Sequence, residues 1–119
     1  MTAAGGLDQS ALQALLANVG DADFVGELAG NFLAEAPGQV VELRRAAERG
    51  EAAELRRLAH TLKSNAATFG ASELAESCRA LEHAADGAGD GWAELVARVE
   101  AELVSVTPAL RELGGDPAR

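Results

Sequence analysis

Two histidines and one cysteine, His60, His83 and Cys78, are the side chains of this sequence best suited to nucleophilic chemistry. Basic residues flank His60, with Arg56 four positions before it and Lys63 three positions after it. An unprotonated imidazole is a nucleophile, and neighbouring cations stabilise an anionic group that becomes attached to it. This combination is suited to accepting a phosphoryl group from another protein.

The other two nucleophiles have simpler interpretations. His83 lies on its predicted helix opposite the apolar residues Leu74 and Leu81, so we expect an exposed, solvated side chain. Cys78 belongs to that apolar stripe and is expected in the core, because a reactive thiol needs a basic and accessible setting. The spacing of the three nucleophiles does not suggest a zinc site. We therefore expect no metal and no cofactor in this chain.

The direction of the His60 side chain follows from helical geometry, in which successive residues are rotated by about 100°. His60 points about 140° away from the apolar stripe of its own helix, and is therefore predicted on the solvent side. That stripe consists of Leu55, Ala59, Leu62 and Ala66. The small residues Ser64 and Ala67 follow His60 on its own face and leave room for a bulky partner. The residues alone also allow a second interpretation, in which His60 is an ordinary solvated side chain.

Hydrophobic periodicity at three- and four-residue steps predicts five helices. Asp8 is the candidate N-cap of the first helix and Ser72 of the fourth, because both side chains can accept hydrogen bonds from backbone N–H groups. Gly50 and Gly70 are expected to end the second and third helices, since glycine readily adopts the left-handed conformation that follows many helices. The predicted helices cover about 8–19, 21–49, 51–68, 72–85 and 92–113.

Two prolines fall inside these predicted helices. Proline lacks the backbone N–H that a helix interior uses, and its ring clashes with the preceding turn. Pro37, followed by Gly38, is expected to kink the second helix or split it in two. Pro108 is expected to bend or restart the fifth helix near Thr107.

Four long amphipathic helices with short connections predict an all-α fold, an antiparallel four-helix bundle with the short N-terminal helix lying across one end. We expect residues 1–119 to form a single domain, with a helical core over about 7–113 and a flexible tail over 114–119. No apolar run approaches the ~18 residues that a membrane span needs, and the N-terminus lacks the features of a secretion signal. The expectation is a cytoplasmic monomer without a membrane partner.

The net charge of −9 argues against a nucleic-acid partner. Between Arg44 and Lys63, however, six basic residues accompany three acidic ones, so this segment carries +3 and the rest of the chain −12. A basic zone on an acidic body is a candidate docking site for an anionic surface or group. The alternative is a set of solvated surface charges without a partner.

The run from Ala59 to Ala71 resembles the signature of histidine-containing phosphotransfer (HPt) domains, which is His-x-x-Lys-Gly followed by small residues and an apolar–Gly pair. The positions that match are His60, Lys63, Ala67, Phe69 and Gly70. The order of the predicted helices fits the family over about 7–113. The sequence departs from the pattern at Ser64, where the family usually has glycine.

The resemblance implies a mechanism for His60. The aspartyl phosphate of a receiver domain would transfer its phosphoryl group to Nε2 of the imidazole, and the group would then pass to a second receiver. Lys63 and, less directly, Arg56 would supply positive charge to the anionic transition state.

The resemblance also assigns roles to the surface around His60. Ser64, Ala67 and Arg57 would face the docked partner, and Gly70 would form a structural turn. The Ser64 hydroxyl could bond the phosphoryl oxygens or turn back onto the His60 backbone carbonyl.

The partners implied are response-regulator receiver domains and a sensor or hybrid histidine kinase, with the receiver bringing Mg²⁺ and most of the catalytic groups. The chain would then be a phosphoryl carrier rather than an independent enzyme, and its sequence contains no Gly-rich loop followed by Lys-Ser/Thr that would bind a nucleotide. Two alternatives stay open. One is the phosphorylatable domain of a chemotaxis-type histidine kinase, in which an ATP-bound kinase domain phosphorylates His60. The other is a helical adaptor that carries no phosphate.

Overall fold

The structure is a computed structural model that describes residues 6–87 and 91–114. Most of these residues lie in helices. They are α1 (Gln9–Val19), α2 (Ala22–Arg49), α3 (Ala52–Thr68), α4 (Ser72–Ala84) and α5 (Trp92–Leu113). The five predicted helices are thus confirmed. The connection between the fourth and fifth predicted helices lies partly outside the described residues, and the tail expected over 114–119 lies outside them from residue 115 onward.

The four long helices form a bundle. Helix α2 packs against α3 and α5, and α4 packs against the same two helices, so each long helix has two long neighbours. Short connections make successive helices run antiparallel. Helix α1 packs onto α2 and α3. The all-α bundle with an additional short N-terminal helix is therefore confirmed.

The apolar stripe of α3 faces the centre of this bundle. Leu55, Ala59, Leu62 and Ala66 are completely buried. They join the apolar faces of α2, α4 and α5 in one continuous core. Burial of such a stripe supplies most of the stability of a bundle helix. The opposite face of α3 consequently takes no part in the hydrophobic core and is open to solvent.

Two helix starts are capped by aspartate side chains. The Asp8 carboxylate accepts a hydrogen bond from the backbone N–H of Ser10 at 3.0 Å, and Asp21 accepts one from Asp23 at 2.9 Å. The prediction that Ser72 caps α4 is wrong by one position. The N-cap is Ala71, and Ser72 is the first helical residue.

The prolines do not divide their helices. Helix α2 runs without a break through Pro37, and α5 runs without a break through Pro108. The split and the restart, each one of the two outcomes expected at these prolines, are therefore wrong. Both prolines lie on exposed faces. Buried residues on either side of each one, such as Ala36 and Val40 in α2, hold the helix against the core. Packing therefore outweighs the one backbone hydrogen bond that each proline forfeits.

The turn between α3 and α4 is hydrogen bonded to the short segment that precedes α1. The Asp8 backbone N–H donates to the Gly70 carbonyl at 2.6 Å, and Leu7, which pairs with Ala71, is buried. Gly70 has φ +74°, in the left-handed region. A Cβ at this position would lie 2.6 Å from the Asp8 carbonyl oxygen. Gly70 is therefore required both by the backbone conformation and by the close approach of the N-terminal segment.

Replacing Gly70 tests this arrangement, and Gly50 provides the matched control because it has φ +71° and a Cβ there would meet no atom within 4 Å. We expect Gly50→Ala to lower the free energy of unfolding by about 1–2 kcal/mol, the cost of a left-handed alanine. Gly70→Ala should lose a further ~1–3 kcal/mol because the contact with Asp8 is overpacked. Urea denaturation followed by circular dichroism measures both. Equal losses in the two variants would contradict the role assigned to the Asp8 contact.

Candidate functional site

The imidazole of His60 stands on the outer face of α3 and is held by a carboxylate from α4. Its side chain is 59% exposed, and Nδ1 lies 2.9 Å from Oε2 of Glu82. The ring thus has one nitrogen engaged by the protein. Nε2 has no hydrogen-bond partner among the residues that the structure describes.

Lys63 engages the other oxygen of the same carboxylate. Its Nζ donates to Oε1 of Glu82 at 2.6 Å. Glu82 therefore bridges two residues of α3, and we refer to the three side chains as the His60–Glu82–Lys63 cluster. An ammonium group carries three donors. Lys63 can thus bind Glu82 and still present N–H groups to a second anion.

The charge state of Glu82 follows from these contacts. The hydrogen bond from Lys63 is the largest cause that lowers the pKa of the Glu82 carboxyl below its ordinary value of 4.5, and the bond from His60 acts in the same direction. Glu82 is therefore ionised at neutral pH. A carboxylate only accepts hydrogen bonds, so the proton in the His60–Glu82 bond belongs to Nδ1.

Helices α3 and α4 bring the cluster together because they form an antiparallel hairpin about the turn at Gly70. His60 and Glu82 lie at similar distances along the chain from that turn, which places them side by side. The sequence alone predicted no role for Glu82. The available signal was its position at the polar edge of the Cys78–Leu81 stripe, one turn after Cys78 on the helix predicted to follow the His60 helix.

The two arginines near His60 have partners of their own. Nη1 of Arg56 donates to Asp86 at 2.6 Å, and Nε of Arg57 donates to Glu54 at 3.0 Å. Arg56 was expected beside the imidazole as a source of positive charge. The structure instead directs its guanidinium to the start of the α4–α5 connection.

The basic segment from Arg44 to Lys63 is largely neutralised in the folded chain. Four of its six cations form ion pairs, since Arg44 also binds Glu100. Three of the four carboxylates come from helix α4, the connection after it or helix α5, outside the segment. Among the described residues, the three carboxylates from outside the segment thus offset its net charge of +3.

Small residues line an open groove of about 470 Å³ next to the cluster. Ser64, Ala67 and Gly70 contribute from α3 and its turn, Ala75 from α4 and Ala11 from α1. Lys63 lies at the edge of both the groove and the cluster. The structure thus places Ser64 and Ala67 on an accessible concave surface beside His60. We call this surface the α1–α3–α4 groove.

The remaining nucleophiles lie away from this surface. Cys78 is completely buried, and burial raises the pKa of its thiol to about 12, which makes it unreactive. His83 is exposed. Within residues 6–87 and 91–114, no group of three or more His, Cys, Asp or Glu side chains is placed to hold a metal ion. None of the helices in the same residues is long and apolar enough to span a membrane.

This chain is similar to known proteins in its sequence family and in its fold. The family model described as "Hpt domain" matches residues 27–109, a range that contains the whole His60–Glu82–Lys63 cluster. The crystal structure of histidine-containing phosphotransfer protein B (HptB) from Pseudomonas aeruginosa PAO1 is similar to this chain, with a TM-score of 0.82 and 27% sequence identity. The similarity covers 92% of this chain and 95% of that chain. No curated protein matches the sequence.

The pKa of Glu82 provides a test of the cluster. Because the folded-state pKa is lowered, Glu82 stabilises the fold at pH values above 4.5, and this contribution is lost as the pH falls through the lowered pKa. We expect Lys63→Ala to raise the Glu82 pKa toward 4.5 in a carbon-13 NMR titration of the side-chain carboxyls. Glu76, whose pKa is lowered by its hydrogen bond with Arg79, is the internal control and should not change. An unaltered Glu82 titration in Lys63→Ala would contradict the assigned contact.

Proposed function

This chain belongs to the Hpt domain family, whose members relay phosphoryl groups between kinases and receiver domains, and on that premise we propose that His60 is its phosphoryl acceptor. In this proposal a receiver-domain aspartate donates the group to His60, and a second receiver accepts it from there. The observation that carries the proposal is the 2.9 Å contact between Nδ1 of His60 and Glu82.

That contact prepares Nε2 for attack. With the proton on Nδ1, the neutral imidazole carries its free electron pair on Nε2. The exposed side chain presents this atom to solvent, where another protein can reach it. Glu82 also restricts rotation of the ring, because turning the imidazole would break the bond to Nδ1. A preoriented nucleophile loses less entropy on reaching the transition state.

The transfer step exchanges one bond to phosphorus for another. The Nε2 electron pair forms the N–P bond while the P–O bond to the aspartate of the receiver breaks, and the aspartate leaves as a carboxylate with the electron pair of the broken P–O bond. No proton has to move, because Nδ1 keeps its hydrogen. The reverse sequence, with the aspartate of a second receiver as nucleophile, regenerates neutral His60.

The charges of the cluster match what this step creates. Phosphorylation at Nε2 leaves a proton on Nδ1, so the ring becomes cationic, and the Glu82 carboxylate stabilises that charge through the existing hydrogen bond. Lys63 neutralises Glu82 and keeps donors for the phosphoryl oxygens. The Mg²⁺ expected on the receiver would neutralise further charge on the phosphoryl group.

The donor is the point on which the alternatives differ. An ATP-bound kinase domain of the chemotaxis type would deliver the phosphoryl group to the same Nε2 atom, whereas an adaptor would receive none. The α1–α3–α4 groove is a surface that either donor protein could contact. The likeness to a histidine-containing phosphotransfer protein, over most of both chains, favours a receiver. A receiver domain is the donor that we infer.

Radiolabelled transfer distinguishes these functions. The protein is incubated separately with phosphorylated receivers and with ATP plus a chemotaxis-type kinase domain. We expect label from receivers that is acid-labile, alkali-stable and absent in His60→Gln. His83→Gln is the matched control and should be labelled like the unchanged protein. Label from the kinase domain alone would favour the kinase-domain alternative, and no label from either donor would favour the adaptor.

Variants of the cluster test the role of Glu82. Glu82→Ala removes a charge-assisted hydrogen bond, so we expect transfer to slow by about 10- to 100-fold. Glu82→Gln keeps an acceptor for Nδ1 without the charge and should be intermediate. Glu48→Gln, an exposed position on α2, is the charge-matched control. Rapid-quench measurement of transfer from a labelled receiver gives the rates. Equal rates for Glu82→Ala and Glu48→Gln would show that Glu82 does not assist His60.

A further inference from the structure

Ser64 has no role in the transfer step just described, although it lies one turn after His60 on the same helix. It is exposed and lines the α1–α3–α4 groove. His60 does not line that groove. The hydroxyl of Ser64 therefore stands beside the transfer site, on a surface that extends away from the imidazole.

The hydroxyl of Ser64 differs from its neighbours in its hydrogen bonding. The hydroxyls of Thr61 and Thr68, on the same helix, donate to backbone carbonyls four residues earlier, at 3.1 Å and 3.0 Å. Ser77 and Thr107 make the same kind of bond on other helices. Among the described residues, Ser64 Oγ makes no hydrogen bond, either to the His60 carbonyl or to any other group.

Other polar side chains along the groove are already engaged. The Asp8 carboxylate caps α1, Ser72 Oγ donates to the Gly70 carbonyl at 3.4 Å, and Arg79 binds Glu76 at 2.5 Å. Lys63 binds Glu82. Within the part of the groove that the structure describes, the Ser64 hydroxyl is thus a polar group without a hydrogen-bond partner, next to alanines and a glycine.

We propose that Ser64 determines which receiver domains this protein accepts, by hydrogen bonding a polar group on the receiver that covers the groove. The inference rests on the proposed function. A receiver that offers an acceptor or donor at this point gains a hydrogen bond. A receiver that covers the hydroxyl with apolar atoms leaves it desolvated and unpaired, which costs binding energy.

The position of Ser64 favours the receiver over the phosphoryl group as the bonding partner. The imidazole is held toward α4 by Glu82, and Lys63 is the member of the cluster that lines the groove. Ser64 instead shares the groove with Ala67 and with Ala11 of α1. A glycine at this position has no side-chain polar group that needs a hydrogen bond. A protein with glycine there would therefore react with different receivers at more similar rates.

The test compares transfer from several phosphorylated receivers, at limiting concentrations, to the unchanged protein and to Ser64→Ala and Ser64→Gly. For the receiver that reacts fastest with the unchanged protein, we expect Ser64→Ala to lower the second-order rate constant by about three- to tenfold, the effect of one hydrogen bond. The ratio between the fastest and slowest receivers should fall by a similar factor in both variants. Ser105→Ala, an exposed serine on α5, is the control and should leave that ratio unchanged.

A small-molecule phosphoryl donor shows whether the Ser64 hydroxyl bonds the phosphoryl group or the receiver. Phosphoramidate can phosphorylate histidine directly, and we expect Ser64→Ala to react with it at the rate of the unchanged protein. A matching loss of rate with phosphoramidate would place the hydroxyl on the phosphoryl group and overturn the inference. An unaltered ratio between receivers in an active Ser64→Ala variant would overturn it alone. Failure of the unchanged protein to accept phosphate from any receiver would overturn the proposed function and this inference with it.

Discussion

The Glu82 carboxylate accepts a hydrogen bond on each of its oxygens, and both donors, His60 and Lys63, come from the neighbouring helix. This double contact fixes the state of the site. Lys63 lowers the pKa of the Glu82 carboxyl, the ionised Glu82 accepts a hydrogen bond from Nδ1 of His60, and with its proton on Nδ1 a neutral imidazole has its free electron pair on Nε2. The position of the imidazole proton of an exposed histidine is therefore set by a carboxylate on the neighbouring helix.

The register between α3 and α4 has to be maintained for that contact to exist. Gly70 turns the chain in the left-handed conformation, and the Asp8 N–H donates to its carbonyl. The N-terminal segment thus ties the turn down from outside the hairpin, while Leu62 and Leu81 pack in the core below it. Small interhelical shifts would alter two short hydrogen bonds at once. The rigidity of the bundle consequently fixes the positions of side chains that lie entirely on its surface.

The ion pairs around the site change what a partner meets. Three cations of the segment whose net charge is +3 form ion pairs with carboxylates outside that segment; they are Arg44, Arg56 and Lys63. Exposed pairs of this kind contribute little to stability, but they remove most of the open positive charge. A partner that covered the α1–α3–α4 groove would meet small side chains, the Ser64 hydroxyl and charged side chains that are already paired. Shape and single hydrogen bonds, more than a strong field, would then govern recognition.

The sequence by itself determined the five helices, the buried stripe of α3 and the exposed position of His60, because helical periodicity is a local property of the chain. It also indicated the need for Gly70 after α3. It allowed Pro37 to split α2 and Pro108 to restart α5, whereas both helices are continuous, because the core packing that holds them is not encoded near either proline. The pairing of Arg56 with Asp86 and of Glu82 with His60 was decided by the tertiary structure. The partners lie 30 and 22 residues apart, and their contact depends on the rotation and register of α4 against α3, which no spacing within one helix specifies.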